Sequence, residues 1–476
     1  MIEAVWTTAL TAILERHVEA ASVGDIGLWT LRGLSVLDPV LTADRQEAGL
    51  RLLANGQVLA TRPLPPPGLP PAATAARLAE ALAALDQAGW NASLPLRRAG
   101  SDRMLASGFD ELFNHMDPYS RYWPADEAQR ARDRRVGQAG LGLRLAAGRG
   151  NQVVLTALAV GGPAAEAGLR DGDRVLSIDG VAVSTRDLGA AAALLEGPAG
   201  TSTELTVMRA GRRRSVLLVR RPVPPETVRV EWRDGVLWLR VAAFSAASGE
   251  QVANALREAF GRATPPIGVV LDLRGNRGGV LTQAVAMADA FLDGGVVART
   301  AGRHPEAVRA WPSDRIDLAD GKPVVVLVDG RSASAAEVVA AALGDRGRAA
   351  IVGSTTMGKG LIQLLVPLPN GAEMSLSWSR ILAPSGWPIQ GIGVIPGLCT
   401  SLGEEVQATQ LATLATGVAP MAAVLARQRQ ARDPVPATQA QALRAACPPA
   451  EGRAGDVGAA TALIANPDAF RAATRR

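Results

Sequence analysis

PVVVLVDGRSASAAEVVAAALGD, residues 323–345, changes its hydrophobic period halfway along. Val324 to Val328 is an unbroken apolar, mostly β-branched run, the pattern of a strand buried on both faces. Beyond Asp329-Gly330 the apolar side chains recur as Val338, Val339, Ala342 and Leu343, which is one face of a helix. A strand therefore delivers the chain to Ser332 and Ser334 just as a helix begins. Serine at that place is ordinarily an N-cap. The same place carries free N–H groups and the positive end of the helix dipole, which can stabilise an oxyanion.

The flanking sequence repeats the alternation. Strands are expected at 236–244, 267–274, 349–353 and 361–369, and helices at 248–263 and 280–292. Strands alternating with helices predict an α/β layer with a mainly parallel sheet over residues 223–398. Residues 1–135 are expected to be mostly helical, with a hairpin at 49–61 turned by Asn55-Gly56. Residues 399–476, rich in Ala, Gln and Arg, are expected as helices and loops with some disorder.

Bulk composition narrows the chemistry. The 476 residues allow several domains, and no run approaches the ~18–20 apolar residues of a membrane span. The N-terminus, MIEAVWTTALTAILERHVEA, has no basic start and is a poor export signal, which leaves a cytoplasmic location open. The net charge of +5 comes from dispersed arginines, so nucleic acid is not an expected partner. Cys399 and Cys447 stand alone, without the spacing of a zinc site. They are either two buried thiols or one disulfide in an oxidising compartment. No metal or cofactor is implied.

Lysine is the informative scarcity. Of 50 basic residues only Lys322 and Lys359 are lysine. Lysine loses its proton when desolvated, whereas guanidinium does not, so a surviving lysine can mark a base. Lys322, next to Pro323 at a strand start, reads as a surface residue. Lys359 lies between Gly358 and Gly360 in GSTTMGKGLIQ (353–363). The three histidines, His17, His115 and His304, lie in no context suited to a Ser-His-Asp triad. A second glycine-rich strand end, LDLRGNRGG (271–279), could turn N–H groups toward a ligand.

Between these regions, residues 136–222 change texture to short strands and glycine turns. GLGLRL (140–145) and GPAAEAGLRDGDRVLSIDG (162–180) resemble a PDZ domain. By that resemblance Gly140, Leu141, Gly142 and Leu143 form a carboxylate-binding loop, followed by a strand edge that can pair with a peptide.

Together, LDLRGNRGG, DGRSASAAEVVAAALGDRGRAAIVG and MGKGLIQ resemble the C-terminal processing peptidases, or tail-specific proteases. SRILAPSGWPIQGIGVIP (379–396) and MDPYSRYWP (116–124) support the match, which spans roughly residues 100–398. The resemblance implies Ser334 as nucleophile, 25 positions before the general base Lys359, with Ser332 non-catalytic and Gln363 orienting the lysine. It implies backbone N–H groups of Gly278 and Ala335 as the oxyanion hole. Ala336, Arg277 and Gly397 depart from residues common in the family. The implied function is a serine endopeptidase that cleaves proteins near free C-terminal tails through an acyl-enzyme, with the PDZ-like module binding or gating the tail. An activating adaptor or homo-oligomer, and work in the cell envelope or periplasm, fit the same resemblance. A catalytically inactive peptide-binding scaffold is the alternative; it predicts loss of the Ser or Lys, and neither is lost.

Overall fold

A computed structural model of the chain describes residues 1–46, 49–159, 161–314 and 316–475. The chain divides into two compact units. One comprises Met1–Ala131, Thr300–Arg309 and Leu361–Ile381, and the other the remainder. Parts of residues 223–398 thus belong to the first unit.

The first unit is helical, as expected, with helices Ile2–Arg16, Val23–Leu37, Pro71–Ala92 and Ser101–Asn114. Its core centres on Trp6 and Phe109, whose ring centroids lie 4.3 Å apart, with Leu10, Leu31, Leu78 and Leu82 fully buried around them. The hairpin Gly49–Ala54/Gln57–Pro63 forms, Asn55 taking the left-handed conformation (φ 51°), and Leu41–Gln46 adds a third antiparallel strand.

One expected strand is reassigned. Leu361–Pro367 does not extend the parallel sheet; it pairs antiparallel with Glu373–Leu382 inside the first unit. Its apolar run marks a strand but not its partner. The Asn370-Gly371 pair that follows is the local signal of a hairpin.

In the second unit, a small β module lies within residues 136–222, with sheet strands Arg144–Ala147, Val153–Thr156, Arg174–Ile178, Ser202–Arg209 and Arg212–Val219. The single turn Pro163–Glu166 and the helix Leu188–Leu195 complete it. Leu155, Ile178 and Leu205 are its fully buried centre.

The rest of this unit is the α/β layer. Its strands are β1 (Val228–Arg233), β2 (Val236–Val241), β3 (Gly268–Asp272), β4 (Val324–Val328), β5 (Ala350–Gly353) and β6 (Leu398–Cys399), paired in that order. Only β1 and β2 are antiparallel, so the sheet is mainly parallel, as predicted. Helices α1 (Ser248–Phe260), α2 (Leu281–Asp289) and α3 (Ala335–Asp345) come from the connections.

The C-terminal region is ordered, contrary to the expectation of partial disorder. It forms α4 (Glu404–Ala415), α5 (Ala422–Gln430), α6 (Ala437–Ala445), α7 (Ala454–Ala465) and α8 (Pro467–Thr474). Leu414, Ala459, Ala460 and Leu463 pack on Val325, Leu327 and Val352, closing one face of the sheet. Strand alternation sends Val324, Val326 and Val328 to the other face, where they are also fully buried. The alanine-rich composition hid this stripe, because small side chains carry little hydropathy while filling a tight helix–sheet gap.

Candidate active site

The turn after β4 is built on Asp329. Its Oδ1 accepts the amides of Gly275 (2.9 Å), Arg331 (3.0 Å) and Ser332 (3.0 Å), which joins the two glycine-rich strand ends. Ser332 is fully buried, and its hydroxyl donates to Leu273 O (2.8 Å) and accepts from the Asp329 amide (3.0 Å). This serine is committed to the scaffold.

Ser334 differs in two ways. It is partly exposed, and its backbone stands at φ 55°, ψ −115°. A non-glycine residue there carries about 1–3 kcal/mol of strain, which persists only when its surroundings over-determine it. The strand–turn–helix path forces the strain and leaves the side chain at the N-terminus of α3.

Glu337, one turn into α3, supplies the over-determination. Its carboxylate is fully buried and takes four hydrogen bonds. Oε1 accepts from the Thr356 hydroxyl and the Gly358 amide (2.6 Å). Oε2 accepts from the amides of Ser334 (2.8 Å) and Lys359 (2.9 Å). Burial pushes this carboxyl up, and the four donors oppose the shift. Three of the donors are backbone N–H groups that cannot accept a proton. The fourth, Thr356 Oγ1, already accepts from Val394 N (2.7 Å). The donor set suits an ionised carboxylate.

Lys359 is half-buried, and the loop around it is bonded at every amide. Thr356 N meets Val394 O (3.2 Å), Met357 N meets Ser332 O (3.0 Å) and Gly360 N meets Gln390 Oε1 (2.8 Å). Gly358 sits at φ 86°, so a side chain there would be strained. Lys322 is exposed, as expected.

Gly278 lies directly behind Ser334. A methyl group added to it would fall 2.8 Å from Ala333 O, 2.9 Å from Ser334 Cβ and 3.0 Å from Ala335 N. Its amide donates to Asn276 Oδ1 (2.8 Å), so one of the two amides expected for an oxyanion hole has an internal acceptor here. Ala335, the first residue of α3, carries an amide without a partner inside its own helix.

Gln363 belongs to the first unit, on strand Leu361–Pro367. Its Nε2 donates to Leu361 O (2.9 Å) and Ser377 Oγ (3.3 Å), and Ser377 Oγ donates to Asp117 Oδ1 (2.7 Å). Asp117 also accepts the Tyr119 and Ser120 amides (2.8 and 3.0 Å) and lies 3.0 Å from His17 Nε2. Burial alone would raise its pKa, yet these partners hold the carboxyl far below the usual carboxylate range. The MDPYSRYWP segment thus acts as a scaffold for the Gln363 amide.

In the β module, Leu141 O accepts from Ala164 N (3.0 Å) and Gly142 O from Ala159 N (2.9 Å). The loop Gly140–Leu143 leads into Arg144–Ala147, the last strand of its sheet, with helix Leu188–Leu195 against it. Among the described residues no group of three or more His, Cys, Asp or Glu could hold a metal. Cys399 and Cys447 form a disulfide, the sharper of the two readings left open.

Glu337, Thr356, Asn276 and Asp329 were not identified from sequence. Ser334-Ala-Ala-Glu337 has the Ser-x-x-Glu spacing of a capping box, a signal that could have found Glu337.

The profile of "Peptidase family S41" matches residues 235–398, and that of "PDZ domain" matches residues 154–209. A carboxy-terminal-processing protease of Bartonella bacilliformis is 34% identical over 301 residues, covering 62% of this chain and 69% of that protein. A carboxyl-terminal-processing protease of Synechocystis is 34% identical, covering 52% of this chain and 58% of that protein. Among solved structures, the photosystem II D1 C-terminal processing protease is 29% identical with a TM-score of 0.37, covering 64% of this chain and 86% of that one.

Proposed function

This chain belongs to peptidase family S41, a serine-type peptidase, and from that membership we propose that Ser334 and Lys359 are its catalytic dyad and that it cleaves protein substrates near free C-terminal tails. The observation that carries the reading is the strained Ser334 backbone, whose amide shares one carboxylate oxygen with the amide of Lys359.

The chemistry follows from the pair. Neutral Lys359 takes the hydroxyl proton of Ser334 as Oγ attacks the scissile carbonyl carbon. The carbonyl π electrons move to oxygen, and the Ala335 amide and helix dipole stabilise the oxyanion. Gly278 joins as second donor when its amide exchanges Asn276 Oδ1 for the oxyanion. The tetrahedral intermediate collapses, the C–N bond breaks, and the Lys359 ammonium returns the proton to the leaving amine. Neutral Lys359 then takes a proton from water as the water oxygen attacks the acyl carbon; the bond from that carbon to Ser334 Oγ breaks, and the Lys359 ammonium returns the proton to Oγ as the acid product leaves. Every proton transfer passes through Lys359, which ends the cycle neutral.

The PDZ-type loop Gly140–Leu143 is the proposed seat for a substrate carboxylate, with the tail added along strand Arg144–Ala147. The disulfide supports an oxidising compartment such as the cell envelope, and no helix among the described residues is long and apolar enough to cross a membrane. The chain spans 69% and 58% of the two relatives' lengths, and their processing activity is carried to it as part of this proposal.

The test offers a reporter peptide with a free apolar C-terminus to the wild type, Ser334→Ala and Lys359→Arg. Both variants are expected to lose cleavage while remaining folded; arginine keeps the charge but cannot act as base. Equal cleavage by all three overturns the assignment.

A further inference from the structure

The loop that carries Lys359 is gripped from two sides. Glu337 holds its amides from within α3. The opposite grip comes from residues 444–452, beyond the span that matches the family profile. Three consecutive loop residues are each tied to this strap. Ser354 Oγ donates to Ala450 O (2.9 Å) and accepts from Ala450 N (3.0 Å). Thr355 Oγ1 donates to Cys447 O (2.6 Å). Thr356 O accepts from Arg444 Nη1 (2.9 Å), which also donates to Ile392 O (2.8 Å). The strap continues into the turn beside the nucleophile, where Gly330 N donates to Ala450 O (2.7 Å) and Gly452 N to Asp329 Oδ2 (3.1 Å). The Cys399–Cys447 disulfide anchors it to β6.

Arg444 is the charged member of this set. Thr356 and Ile392 are fully buried, so their carbonyls have no recourse to water if the guanidinium is removed. With Arg444 on its carbonyl, Glu337 on its hydroxyl and Val394 on its amide, Thr356 is held at all three polar groups. Arg444 Nη1 would also lie 3.3 Å from a Cβ built on Gly358, the residue next to the lysine.

We propose that Arg444 is a positioning residue for the base: by holding the Thr356 carbonyl it fixes the path of the Thr356–Gly360 loop and so places Lys359 against Ser334. This rests on Lys359 being the base. Arg444 touches no reacting atom; it acts through the backbone that bears the lysine.

The test compares full-length Arg444→Ala, Arg444→Lys and Lys359→Ala with the wild type, normalised to folded protein. It measures kcat and KM on the reporter peptide and the rate at which a fluorophosphonate labels Ser334. For Arg444→Ala, kcat and the labelling rate are expected to fall about ten- to a hundredfold, the cost of a small misplacement of a catalytic group. KM should stay within about twofold, because substrate binding is untouched. Millimolar guanidinium is expected to restore part of the rate, and Arg444→Lys to fall between. If Arg444→Ala keeps wild-type kcat per folded molecule while Lys359→Ala is inactive, the positioning role is overturned and the dyad stands. If Lys359→Ala keeps its activity, the dyad reading and this proposal fall together.

Discussion

The amides of Ser334 and Lys359 converge on a single oxygen, Glu337 Oε2, at 2.8 and 2.9 Å. One buried carboxylate thus couples the backbone of the proposed nucleophile to that of the proposed base. Any change in that oxygen alters the positions of both.

Glu337→Gln is the direct probe. Glutamine offers one carbonyl oxygen and turns an NH2 group toward two of the four donors. The variant is expected to lose about 3 kcal/mol of stability, the order found when a buried charged group loses its match. Ser334 labelling should slow with it. Thermal unfolding and fluorophosphonate labelling check both, and an unchanged midpoint with unchanged labelling would refute the coupling.

Ser332→Ala separates the two serines. The loss of the hydroxyl leaves Leu273 O and the Asp329 amide short of a partner. A destabilisation of about 1–3 kcal/mol is expected, with covalent labelling still directed to Ser334. Mass spectrometry of the labelled peptide identifies the site, and labelling that required Ser332 would reverse the assignment.

Gly278→Ala is expected to abolish cleavage. The φ of 95° disfavours alanine, and its methyl would press on Ala333 O, Ser334 Cβ and Ala335 N. Turnover measured beside circular dichroism tells a distorted site from an unfolded chain.

The first unit carries its own pH signature. Asp86 is buried beside Trp6 Nε1 (3.4 Å), and burial pushes its carboxyl up to about 7. The folded chain therefore holds a proton that the unfolded chain releases near pH 4. The stability this gives is full below that pH and is lost as pH rises through about 7, by about 4 kcal/mol in all. Unfolding curves at pH 5 and pH 8 should show the decline in the wild type and a much smaller one in Asp86→Asn.

Reduction of Cys399–Cys447 should lower kcat more than it raises KM, because the strap loses its anchor to β6. Thiol titration against turnover over a reductant series checks this.

Much of the catalytic layer was legible. Val324–Val328 and the period change after Gly330 place Ser334 at a helix start, and lysine scarcity isolates Lys359. Local patterns carry such information because strand burial and helix faces repeat over a few residues. What joins distant segments was not legible. Asp117 reaches Ser377, 260 residues away, and Arg444 reaches Thr356, 88 residues away; neither differs in sequence from a surface charge. Leu361–Pro367 failed for the same reason, since its run gives a strand without naming its partner. Helices α4 to α8 were obscured by alanine, whose burial on Val325 and Leu327 depends on shape rather than hydropathy.

The helices that close the sheet follow its strands in the chain and are synthesised after them. While a ribosome is still making residues 404–474, Val325, Leu327 and Val352 have no cover and the Thr356 carbonyl has no guanidinium. A nascent chain that already contains the proposed pair Ser334 and Lys359 therefore lacks the Arg444 contact proposed to align them. On that proposal, cleavage waits for helices α4 to α8, and the chain stays silent while these residues are still being made.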